Sequence, residues 1–556
     1  MDKVTGNALI SVYDKTGIAE FAGSLIKQGW RIYASGGTAR KISDAGISVI
    51  DISELVGGEA ILGHRVVTLS REVYAGLLAD TSKPEDTEEL SRLGIPLIGL
   101  VCVDMYPLEA EIAKPEATIK DVIEQTDIGG PTLLRAAAKG RRIVLSVATQ
   151  RQQVLDWLSQ GKPEEEAFLK ELAARAEYEV TRYTLTLAKY LGGTDVSGSI
   201  ATRDSGTKYG ENPWQTEAGF YADSRVTIDP LGLDQFTHIQ GMERSYINMT
   251  DIDRLLQTAT HIAAGFECNF GEIPSIAIGV KHGNACGAAV AETLAEAVEK
   301  MLEGDTRAIF GGVVMINGII DKEVAEALLG HAMEAGSSRL LDGVVGSAVT
   351  DEALAILNRK KLRVVINPAL AHLNKDSLDT TRRMRPLRGG TLEQPNYTFI
   401  LDLSAEYIQR RGDLTEQQKR DIMLAWAVGS TSNSNTITLV KDGKLVGNGV
   451  GQQDRVGAGQ LAITRTTTTL PTIEAREGQL VMTTYLDKQK LADAVAYSDS
   501  FFPFSDGPAL LAAAGIKAIL TSSGSVADEK VIKTLTDAGV SVTLVPDKVG
   551  RGFYAH

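Results

Sequence analysis

A lysine and a histidine stand side by side in the stretch VKHGNACG, at Lys281 and His282. A neutral imidazole is an effective general base, and a neighbouring ammonium group can stabilise an oxyanion. Adjacent side chains of a regular strand face opposite ways, so the two groups share a site only if the strand has ended, which Gly283 and Gly287 favour. An ordinary surface pair is the alternative, and these residues by themselves leave both interpretations open.

Polar loops follow apolar segments in the first third of the chain. The loop ASGGTAR places glycines at the start of a helix, where backbone N–H groups and the helix dipole favour an anion. The loops SVYDKTG and DIGGPTLLRAAAKG add Lys15 and the helical pair Arg135 and Lys139. Each loop alone also fits a packing turn or a solvated cationic face. Three of them on one parallel sheet predict a site for a phosphorylated small molecule.

Strands and helices are predicted to alternate along the part of the chain that positions these loops. The first 52 residues predict strands at NALISV (7–12), WRIYA (30–34) and ISVIDI (47–52), with helices between them. Such alternation implies βαβ units on a parallel sheet. A long amphipathic helix is predicted over residues 164–191, and the Gly-, Ser- and Thr-rich stretch GGTDVSGSIATRDSG follows it. We therefore place a domain boundary near residue 195.

The remaining residues predict further α/β structure. SIAIGV (275–280) is a predicted strand that leads into the Lys-His loop. TITLVKDGKLVGNGVG predicts a β-hairpin that turns at Asp442 and Gly443. The last 40 residues predict another βαβ unit, with IKAILTS and VSVTLV as its strands.

Composition narrows the class of protein. A length of 556 residues suggests about three or four structural units. The net charge of −14 argues against a surface for nucleic acid or for an anionic membrane. Three widely spaced cysteines argue against a disulfide framework, and no Cys/His cluster has zinc spacing. With no apolar leader at the N-terminus, we expect a cytoplasmic enzyme or binding protein without metal, nucleic acid or membrane partners.

A series of motifs in a fixed order identifies a resemblance along nearly the whole chain. The chain resembles the bifunctional AICAR formyltransferase / IMP cyclohydrolase family of purine biosynthesis, where AICAR is 5-aminoimidazole-4-carboxamide ribonucleotide. The motifs are ISVYDKTGI, ASGGTARKI, DIGGPTLLRAAAKG, KYGENPWQ, SYINMTDID, VKHGNACG, FGGVV, RGGTLEQ, SNTITLVKDG, GVGQQDRV, SDSFFPFSDG and SSGSVADEKVI.

The resemblance implies an α/β protein with two catalytic regions. Residues 1–195 are expected to form a methylglyoxal-synthase-like parallel-sheet domain that closes the ring of formyl-AICAR to give IMP. Residues 196–556 are expected to form two cytidine-deaminase-like α/β subdomains, at about 196–375 and 376–556. This region is expected to move a formyl group from 10-formyltetrahydrofolate, a reduced folate, to AICAR without a metal. Family members are homodimers with transformylase sites at the subunit interface.

The resemblance also assigns roles in the second region. His282 matches the general base that takes the amine proton of AICAR, and Lys281 matches the residue that stabilises the tetrahedral transition state. The positions that match AICAR contacts are Lys208, Tyr209, Gly311, Asp342, Asn435, Phe501 and Arg551. The positions that match the folate side are Arg455, Asp506 and Ser525.

In the first region the resemblance implies a nucleotide site. Its contacts match Tyr13, Asp14, Lys15, Ser35, Gly36, Gly37, Thr38, Arg65, Thr68, Asp104 and Asp127. Lys139 matches the residue that transfers a proton during ring closure. Val67 and Ser70 stand where the family usually has a lysine and a histidine. We therefore expect these two departures to weaken ring closure more than formyl transfer.

Two other functions compete with the bifunctional one. The first is a monofunctional transformylase whose N-terminal domain only binds nucleotide. The second, from a different class, is a nucleotide-sensing regulatory protein with both sites inactive. Retention of Lys281, His282, Lys139 and Asp127 argues against the sensor.

Overall fold

The computed structural model describes residues 5–62, 65–223, 228–305, 308–467, 472–476, 479–483 and 488–555. The chain divides into two units. Unit 1 comprises residues 1–202 together with 223–226, and unit 2 comprises residues 203–222 together with 227–556. The division at Thr202 lies inside the stretch GGTDVSGSIATRDSG.

Unit 1 alternates strands and helices. Its strands are β1 Gly6–Val12, β2 Trp30–Ala34, β3 Ile50–Asp51, β4 Ile98–Asp104 and β5 Ile143–Leu145. Its helices are α1 Ile18–Lys27, α2 Gly36–Asp44, α3 Ile52–Val56, α4 Arg71–Leu78, α5 Pro84–Leu93, α6 Leu108–Ile112, α7 Ile119–Glu124, α8 Gly129–Lys139, α9 Gln150–Ser159 and α10 Glu165–Gly192. The predicted long helix is confirmed as α10.

The strands of unit 1 form one parallel sheet in the order β3-β2-β1-β4-β5. Strand β1 lies at its centre, where Ile10 pairs with Ala34 on one side and Cys102 on the other. The predicted parallel sheet is therefore confirmed. Because all strands run the same way, the loops after β1, β2 and β4 lie along one edge, the carboxyl edge of the sheet.

Local apolar spacing and capping explain where the elements of unit 1 begin and end. Helix α1 buries Ile18, Phe21, Ala22 and Leu25, four residues at helical spacing. The predicted strand ISVIDI is wrong over most of its length, because β3 keeps only two residues. The carboxylate of Asp51 instead accepts the backbone N–H of Ser53 at 2.9 Å, which caps α3 and takes the next residues into that helix.

Unit 2 is larger and has a mixed sheet. Its strands are β6 Ala201–Gly206 and β7 Gly219–Asp223, which form a ribbon at the boundary, then β8 Thr237–Gln240, β9 Ser275–Lys281, β10 Asn284–Ala291, β11 Val313–Ile316, β12 Ile319–Ile320, β13 Gly343–Gly346, β14 Ala348–Val349, β15 Arg363–Ile366, β16 Arg383–Leu387, β17 Gly390–Gln394, β18 Gln409–Arg411, β19 Ile437–Lys441, β20 Lys444–Gly449, β21 Thr472–Arg476, β22 Gln479–Thr483, β23 Val495–Ser498, β24 Ala518–Ser523 and β25 Ser541–Pro546. Its helices are α11 Tyr246–Phe270, α12 Leu294–Leu302, α13 Lys322–Gly330, α14 Asp351–Ile356, α15 Glu416–Ser430, α16 Arg455–Thr467, α17 Asp506–Ala513, α18 Asp528–Asp537 and α19 Asp547–Gly550.

Twelve strands of unit 2 form one sheet in the order β18-β25-β24-β23-β19-β20-β10-β9-β11-β13-β15-β8. Its two halves repeat one topology. Each half has an antiparallel hairpin, β9-β10 or β19-β20, followed by three strands that are parallel to one another and an antiparallel edge strand. The halves join where β10 pairs antiparallel with β20. The predicted hairpin at Asp442 and Gly443 and the predicted C-terminal βαβ unit are both confirmed.

One hydrophobic core extends across both halves of this sheet. Helices α11 and α15 pack on the same face against alternate residues such as Ile278 of β9 and Leu520 of β24. Residues of opposite orientation, such as Ala277 of β9 and Ile519 of β24, pack against helices on the other face. The halves therefore share a core rather than folding around separate ones.

The topology brings distant loops to one edge of the sheet. Strand β9 ends where β10 and β11 begin, because β9 pairs antiparallel with both. The antiparallel pairing of β10 with β20 places the start of β10 level with the start of β19 and the ends of β23, β24 and β25. We call this the functional edge of unit 2. Within the described residues, no helix is long and apolar enough to cross a membrane.

Because the sheet and hydrophobic core of unit 1 are complete within residues 5–202, we predict that a fragment of residues 1–202 folds alone and unfolds cooperatively. Leu9→Ala in this fragment lowers the free energy of unfolding by about 2–5 kcal/mol, because Leu9 is fully buried. The exposed Leu93→Ala changes it by less than about 0.5 kcal/mol. Urea unfolding followed by circular dichroism measures both, and a fragment without a cooperative transition contradicts the prediction.

Candidate functional site

The Lys-His pair of unit 2 lies in a two-residue turn on the functional edge. Lys281 is the last residue of β9 and pairs with Asn284, the first residue of β10. Between them His282 and Gly283 have φ values of 54° and 73°. Two successive residues of positive φ are the mark of a type I′ hairpin turn, whose twist matches the twist of its strands. The strand therefore ends at the pair, as the sequence analysis requires for a shared site.

Hydrogen bonds fix both sides of this turn. The ammonium of Lys281 donates to the carbonyl oxygen of Phe310 at 2.7 Å. The backbone N–H of Gly283 donates to the carboxylate of Asp251 in helix α11 at 2.8 Å. The imidazole of His282 is exposed, so a substrate can reach it.

Gly311 and Asp342 lie beside the ammonium of Lys281. A Cβ atom at Gly311 would stand 3.8 Å from Lys281 Nζ and 4.0 Å from Asp342 Oδ2. Gly311 has a φ of 75°, a second reason why a larger side chain does not fit there. A glycine here leaves room for a ligand between the ammonium and the carboxylate.

Lys208 and Tyr209 are adjacent in sequence and in space, with Lys208 Nζ 6.0 Å from the ring centre of Tyr209. Arg363 connects them to the edge, because its guanidinium interacts electrostatically with both Tyr209 and Asp342. The structure thus brings Lys208, Tyr209 and Asp342 toward one region, although the first two precede helix α11.

Asn435 lies just before β19 and is held by two hydrogen bonds to the carbonyl oxygen of Gln452, at 3.1 Å from its backbone N–H and 2.9 Å from its side chain. Next to it the buried carboxylate of Asp499 accepts from the Ser434 hydroxyl at 2.5 Å and pairs with Arg455 at 3.4 Å. Burial raises the pKa of Asp499, and its hydrogen bonds and Arg455 oppose that rise. Arg455, predicted on the folate side, therefore pairs with a carboxylate that bonds Ser434 and Thr436, the residues on either side of Asn435.

Four predicted residues lie in loops or at a helix start after parallel strands. Phe501 and Asp506 follow β23, Ser525 follows β24, and Arg551 follows β25. Arg551 lies 3.7 Å from Asp547 and interacts electrostatically with Asp499. Ser525 is partly engaged in its own loop, where its hydroxyl accepts the Ala527 N–H at 3.1 Å.

A cavity of about 550 Å³ opens beside the Lys-His turn. Its lining residues are Lys281, His282, Ala308, Leu461, Thr464 and Arg465. The mixture of apolar side chains with two cations suits a ligand that has an apolar body and an anionic group.

In unit 1 the residues after β1 gather at the carboxyl edge. The carboxylate of Asp104, at the end of β4, accepts the backbone N–H groups of Tyr13 and Asp14. Burial raises the pKa of Asp104, and these hydrogen bonds oppose that rise. The ammonium of Lys15 donates to the Tyr13 carbonyl at 3.1 Å and would lie 3.8 Å from a Cβ atom at Gly37. Tyr13, Asp14, Lys15 and Asp104 therefore form one group.

The start of helix α2 adjoins this group. Ser35 precedes the helix, and its hydroxyl lies 3.3 Å from that of Ser11 at the end of β1. Gly36 adopts a φ of 47°. The hydroxyl of Thr38 is buried and bonds the backbone N–H and carbonyl of Val12 at 3.3 and 3.2 Å. Thr38 thus ties α2 to β1, while Ser35, Gly36 and Gly37 form the start of α2, where backbone N–H groups have no acceptor within the helix.

Asp127 and Thr68 meet at the start of helix α8. A Cβ atom at Gly129 would lie 3.2 Å from Thr68 Oγ1 and 3.9 Å from Asp127 Oδ1. Burial raises the pKa of Asp127, and backbone hydrogen bonds from Gly130, Tyr106 and Gly129 oppose that rise. The carboxylate therefore lies at the carboxyl edge, partly buried and held by the first residues of α8.

Lys139 lies apart from this edge group, and Arg65 pairs with the last residue of α7. Lys139 is the last residue of α8, about 15 Å along the helix from Gly129 at 1.5 Å per residue. The exposed side chain of Arg65 pairs with Glu124 at 2.6 Å. Within one copy of the chain, the structure does not bring Lys139 to Asp127.

The two departures from the family pattern have local structural roles. The hydroxyl of Ser70 accepts the backbone N–H of Val73 at 3.2 Å and so caps helix α4. The side chain of Val67 packs against the core of unit 1.

The sequence analysis missed Asp251, Asp499 and Arg465. Asp251 and Asp499 belong to quoted motifs, SYINMTDID and SDSFFPFSDG, but a carboxylate next to hydrophobic residues gives no local sign of the loop that it contacts. Among the described residues, no group of three His, Cys, Asp or Glu side chains is arranged to hold a metal ion.

Comparisons with known proteins agree with this geometry. The family model of the AICARFT/IMPCHase bienzyme matches residues 137–465, and that of the MGS-like domain matches residues 17–132. The second match and the parallel sheet confirm the methylglyoxal-synthase-like fold predicted for the N-terminal region.

Curated relatives match along nearly the whole chain. The bifunctional purine biosynthesis protein PurH of Staphylococcus saprophyticus is 34% identical over 537 residues, which cover 96% of this chain and 97% of that protein. The PurH protein of Anoxybacillus flavithermus is 34% identical over 550 residues with the same coverage. A solved structure, that of ForH, has 34% sequence identity and a TM-score of 0.31, and the match covers 35% of this chain and 100% of ForH. The matches to the family model and to full-length relatives show that this chain belongs to the AICARFT/IMPCHase bienzyme family.

Proposed function

We propose that the chain catalyses formyl transfer to AICAR in unit 2 and ring closure of formyl-AICAR to IMP in unit 1. The main support for formyl transfer is the turn that presents Lys281 and His282 to a cavity of about 550 Å³. Relatives named as bifunctional cover the chain from end to end, which favours two activities over a monofunctional transformylase. We propose 10-formyltetrahydrofolate as the formyl donor.

The Lys-His turn has the groups that formyl transfer needs. The exocyclic amine of AICAR is a weak nucleophile, because its lone pair is delocalised into the imidazole and the carboxamide. His282 takes a proton from this nitrogen as the nitrogen attacks the formyl carbon. The ammonium of Lys281 stabilises the oxyanion that forms on the formyl oxygen. When the tetrahedral intermediate collapses, the bond to folate N10 breaks and N10 receives a proton.

The other residues of the functional edge are proposed to bind the two substrates. Lys208, Tyr209, Gly311, Asp342, Asn435, Phe501 and Arg551 are proposed to contact AICAR, and Arg455, Asp506 and Ser525 the folate. Arg465 adds a cation to the cavity wall, where it pairs with Asp305 at 2.8 Å. The support for this assignment is that all of these residues except Lys208 and Tyr209 follow or precede strands at one edge of the twelve-stranded sheet. Tyr209, next to Lys208, interacts electrostatically with Arg363 at the start of β15.

The carboxyl edge of unit 1 is proposed to bind the phosphate and base of the nucleotide. The backbone N–H groups at Ser35, Gly36 and Gly37 and the ammonium of Lys15 suit a phosphate at the start of α2. Tyr13, Asp14, Thr38, Arg65, Thr68 and Asp104 are proposed to complete this site. Lys139, the predicted proton-transfer residue, lies at the far end of α8 within one copy of the chain. We therefore propose that Asp127, predicted as a nucleotide contact, exchanges the proton at this edge.

The family resemblance further leads us to propose a homodimer. Light scattering of the purified protein measures the molar mass directly. Twice the chain mass of 59.5 kDa is the expected result, and a concentration-independent value of one chain mass contradicts it.

His282→Ala tests the separation of the two activities. We predict that it lowers the rate of formyl transfer by about 100- to 10,000-fold, because a general base is lost. Ring closure of supplied formyl-AICAR should stay unchanged, because Asp127 belongs to the other unit. The exposed His372→Ala serves as the matched control. Equal loss of both activities in a folded His282→Ala protein would overturn the assignment of His282.

Gly130→Ala tests the nucleotide site of unit 1. An added Cβ atom would stand 2.3 Å from Asp127 Oδ2, so the carboxylate must move. We predict a loss of ring closure of about tenfold or more with unchanged formyl transfer. Gly23→Ala in helix α1 is the control, because its Cβ atom meets a side chain at an ordinary 3.5 Å.

Asp127→Asn provides a second variant that changes the charge without adding an atom near the backbone. Steady-state formation of IMP from formyl-AICAR measures the effect for all three proteins. If Asp127→Asn and Gly130→Ala both close the ring at the wild-type rate, Asp127 has no role in this step.

A further inference from the structure

The Lys-His turn has a counterpart in the other half of the sheet. Lys281 to Asn284 close hairpin β9-β10, and Lys441 to Lys444 close hairpin β19-β20. In the first turn His282 and Gly283 have φ values of 54° and 73°, and in the second Asp442 and Gly443 have 53° and 74°. The two turns therefore share one backbone conformation and one place in the repeated topology.

A carboxylate from a long helix holds each turn. Asp251 is the sixth residue of α11, and Asp421 is the sixth residue of α15. Asp251 accepts the N–H of Gly283 at 2.8 Å, and Asp421 accepts that of Gly443 at 2.7 Å. Both carboxylates are buried, at 4% and 3% exposure, and both helices begin with a capping box. The arrangement of a hairpin turn held by a buried helix carboxylate therefore occurs twice in the sheet.

The two copies differ in location and in the residue that the turn presents. The first turn lies on the functional edge and presents His282. The second lies at the opposite edge, because β10 and β20 are antiparallel, and it presents Asp442. Asp421 also accepts the backbone N–H of Asp442 at 3.0 Å. The second copy therefore shows what such a carboxylate does for a turn that carries no histidine.

A left-handed conformation is unfavourable for a histidine, since its Cβ atom crowds the backbone. The surrounding structure must therefore hold His282 in place. The hydrogen bond from the next residue, Gly283, to the buried Asp251 provides such a hold. The carboxylate also lies near enough to the imidazole of His282 for their charges to interact.

We propose that Asp251 is a positioning residue for formyl transfer: its carboxylate fixes the turn that aims His282 at the amine of AICAR. This inference rests on the proposed function of unit 2. Asp251 acts through the turn and touches no reacting atom. Asp421 has the same structural task in a turn that takes no part in the reaction.

The inference predicts a loss of kcat without a matching change in KM. We expect Asp251→Ala to lower kcat for formyl transfer by about 10- to 100-fold, because misplacing a catalytic group by about 1 Å costs up to that factor. The KM for AICAR should change by less than about threefold. Asp251→Asn keeps an acceptor for the Gly283 N–H and should restore most of kcat.

Asp421→Ala is the matched control. It should lower the melting temperature about as much as Asp251→Ala does and leave kcat at the wild-type value. A wild-type kcat in Asp251→Ala, or an equal loss of kcat in both alanine variants, would overturn the inference. So would a failure of Asp251→Asn to recover activity above that of Asp251→Ala.

Hydrogen exchange tests the inference without any activity. Amides of residues 280–287 should exchange faster in Asp251→Ala and at the wild-type rate in Asp421→Ala, and amides of residues 440–446 should show the reverse. If the wild-type protein fails to transfer formyl groups, the proposed function fails, while this measurement still decides whether Asp251 holds the turn. Unchanged exchange at residues 280–287 in Asp251→Ala would overturn the inference.

Discussion

The functional edge of unit 2 depends on a hairpin turn in which a histidine, His282, adopts a left-handed conformation. A regular strand would send the side chains of Lys281 and His282 to opposite faces of the sheet. The type I′ turn ends the strand at Lys281, so both residues line the same cavity. The hydrogen bond from Gly283 to Asp251 ties this turn to α11, a helix that packs against the sheet in the hydrophobic core.

Charge pairing keeps this edge usable for an anionic substrate. The carboxylates of Asp251 and Asp499 are buried, and burial raises the pKa of each. Arg254 and Arg455 interact electrostatically with them, which opposes that rise and compensates the buried negative charge. Lys281 instead donates to a neutral carbonyl oxygen, so its positive charge is not cancelled by that bond. In the proposed reaction this charge stabilises the oxyanion that forms on the formyl oxygen.

The sequence predicted those features that depend on neighbours along the chain. Helix α1 buries the four residues whose spacing predicted it, and α10 has nearly the predicted bounds. The Asp442-Gly443 hairpin followed from the turn chemistry of that dipeptide. The strand ISVIDI was wrong because an aspartate side chain can end a strand as well as start a helix, and Asp51 does so here. The spacing of apolar residues does not show whether an aspartate lies within a strand or starts a helix.

The features that escaped prediction depend on residues far apart along the chain. VKHGN and VKDGK resemble each other, but five residues at a separation of 160 carry too little information to reveal a repeated fold. Asp251 and Asp421 lie 31 and 21 residues before their turns, so no fixed spacing connects carboxylate and turn. The pairing becomes visible only when two antiparallel hairpins lie side by side in one sheet. In our proposal the same arrangement has a purely structural role at one edge, where the turn carries Asp442, and positions a general base at the other, where the turn carries His282.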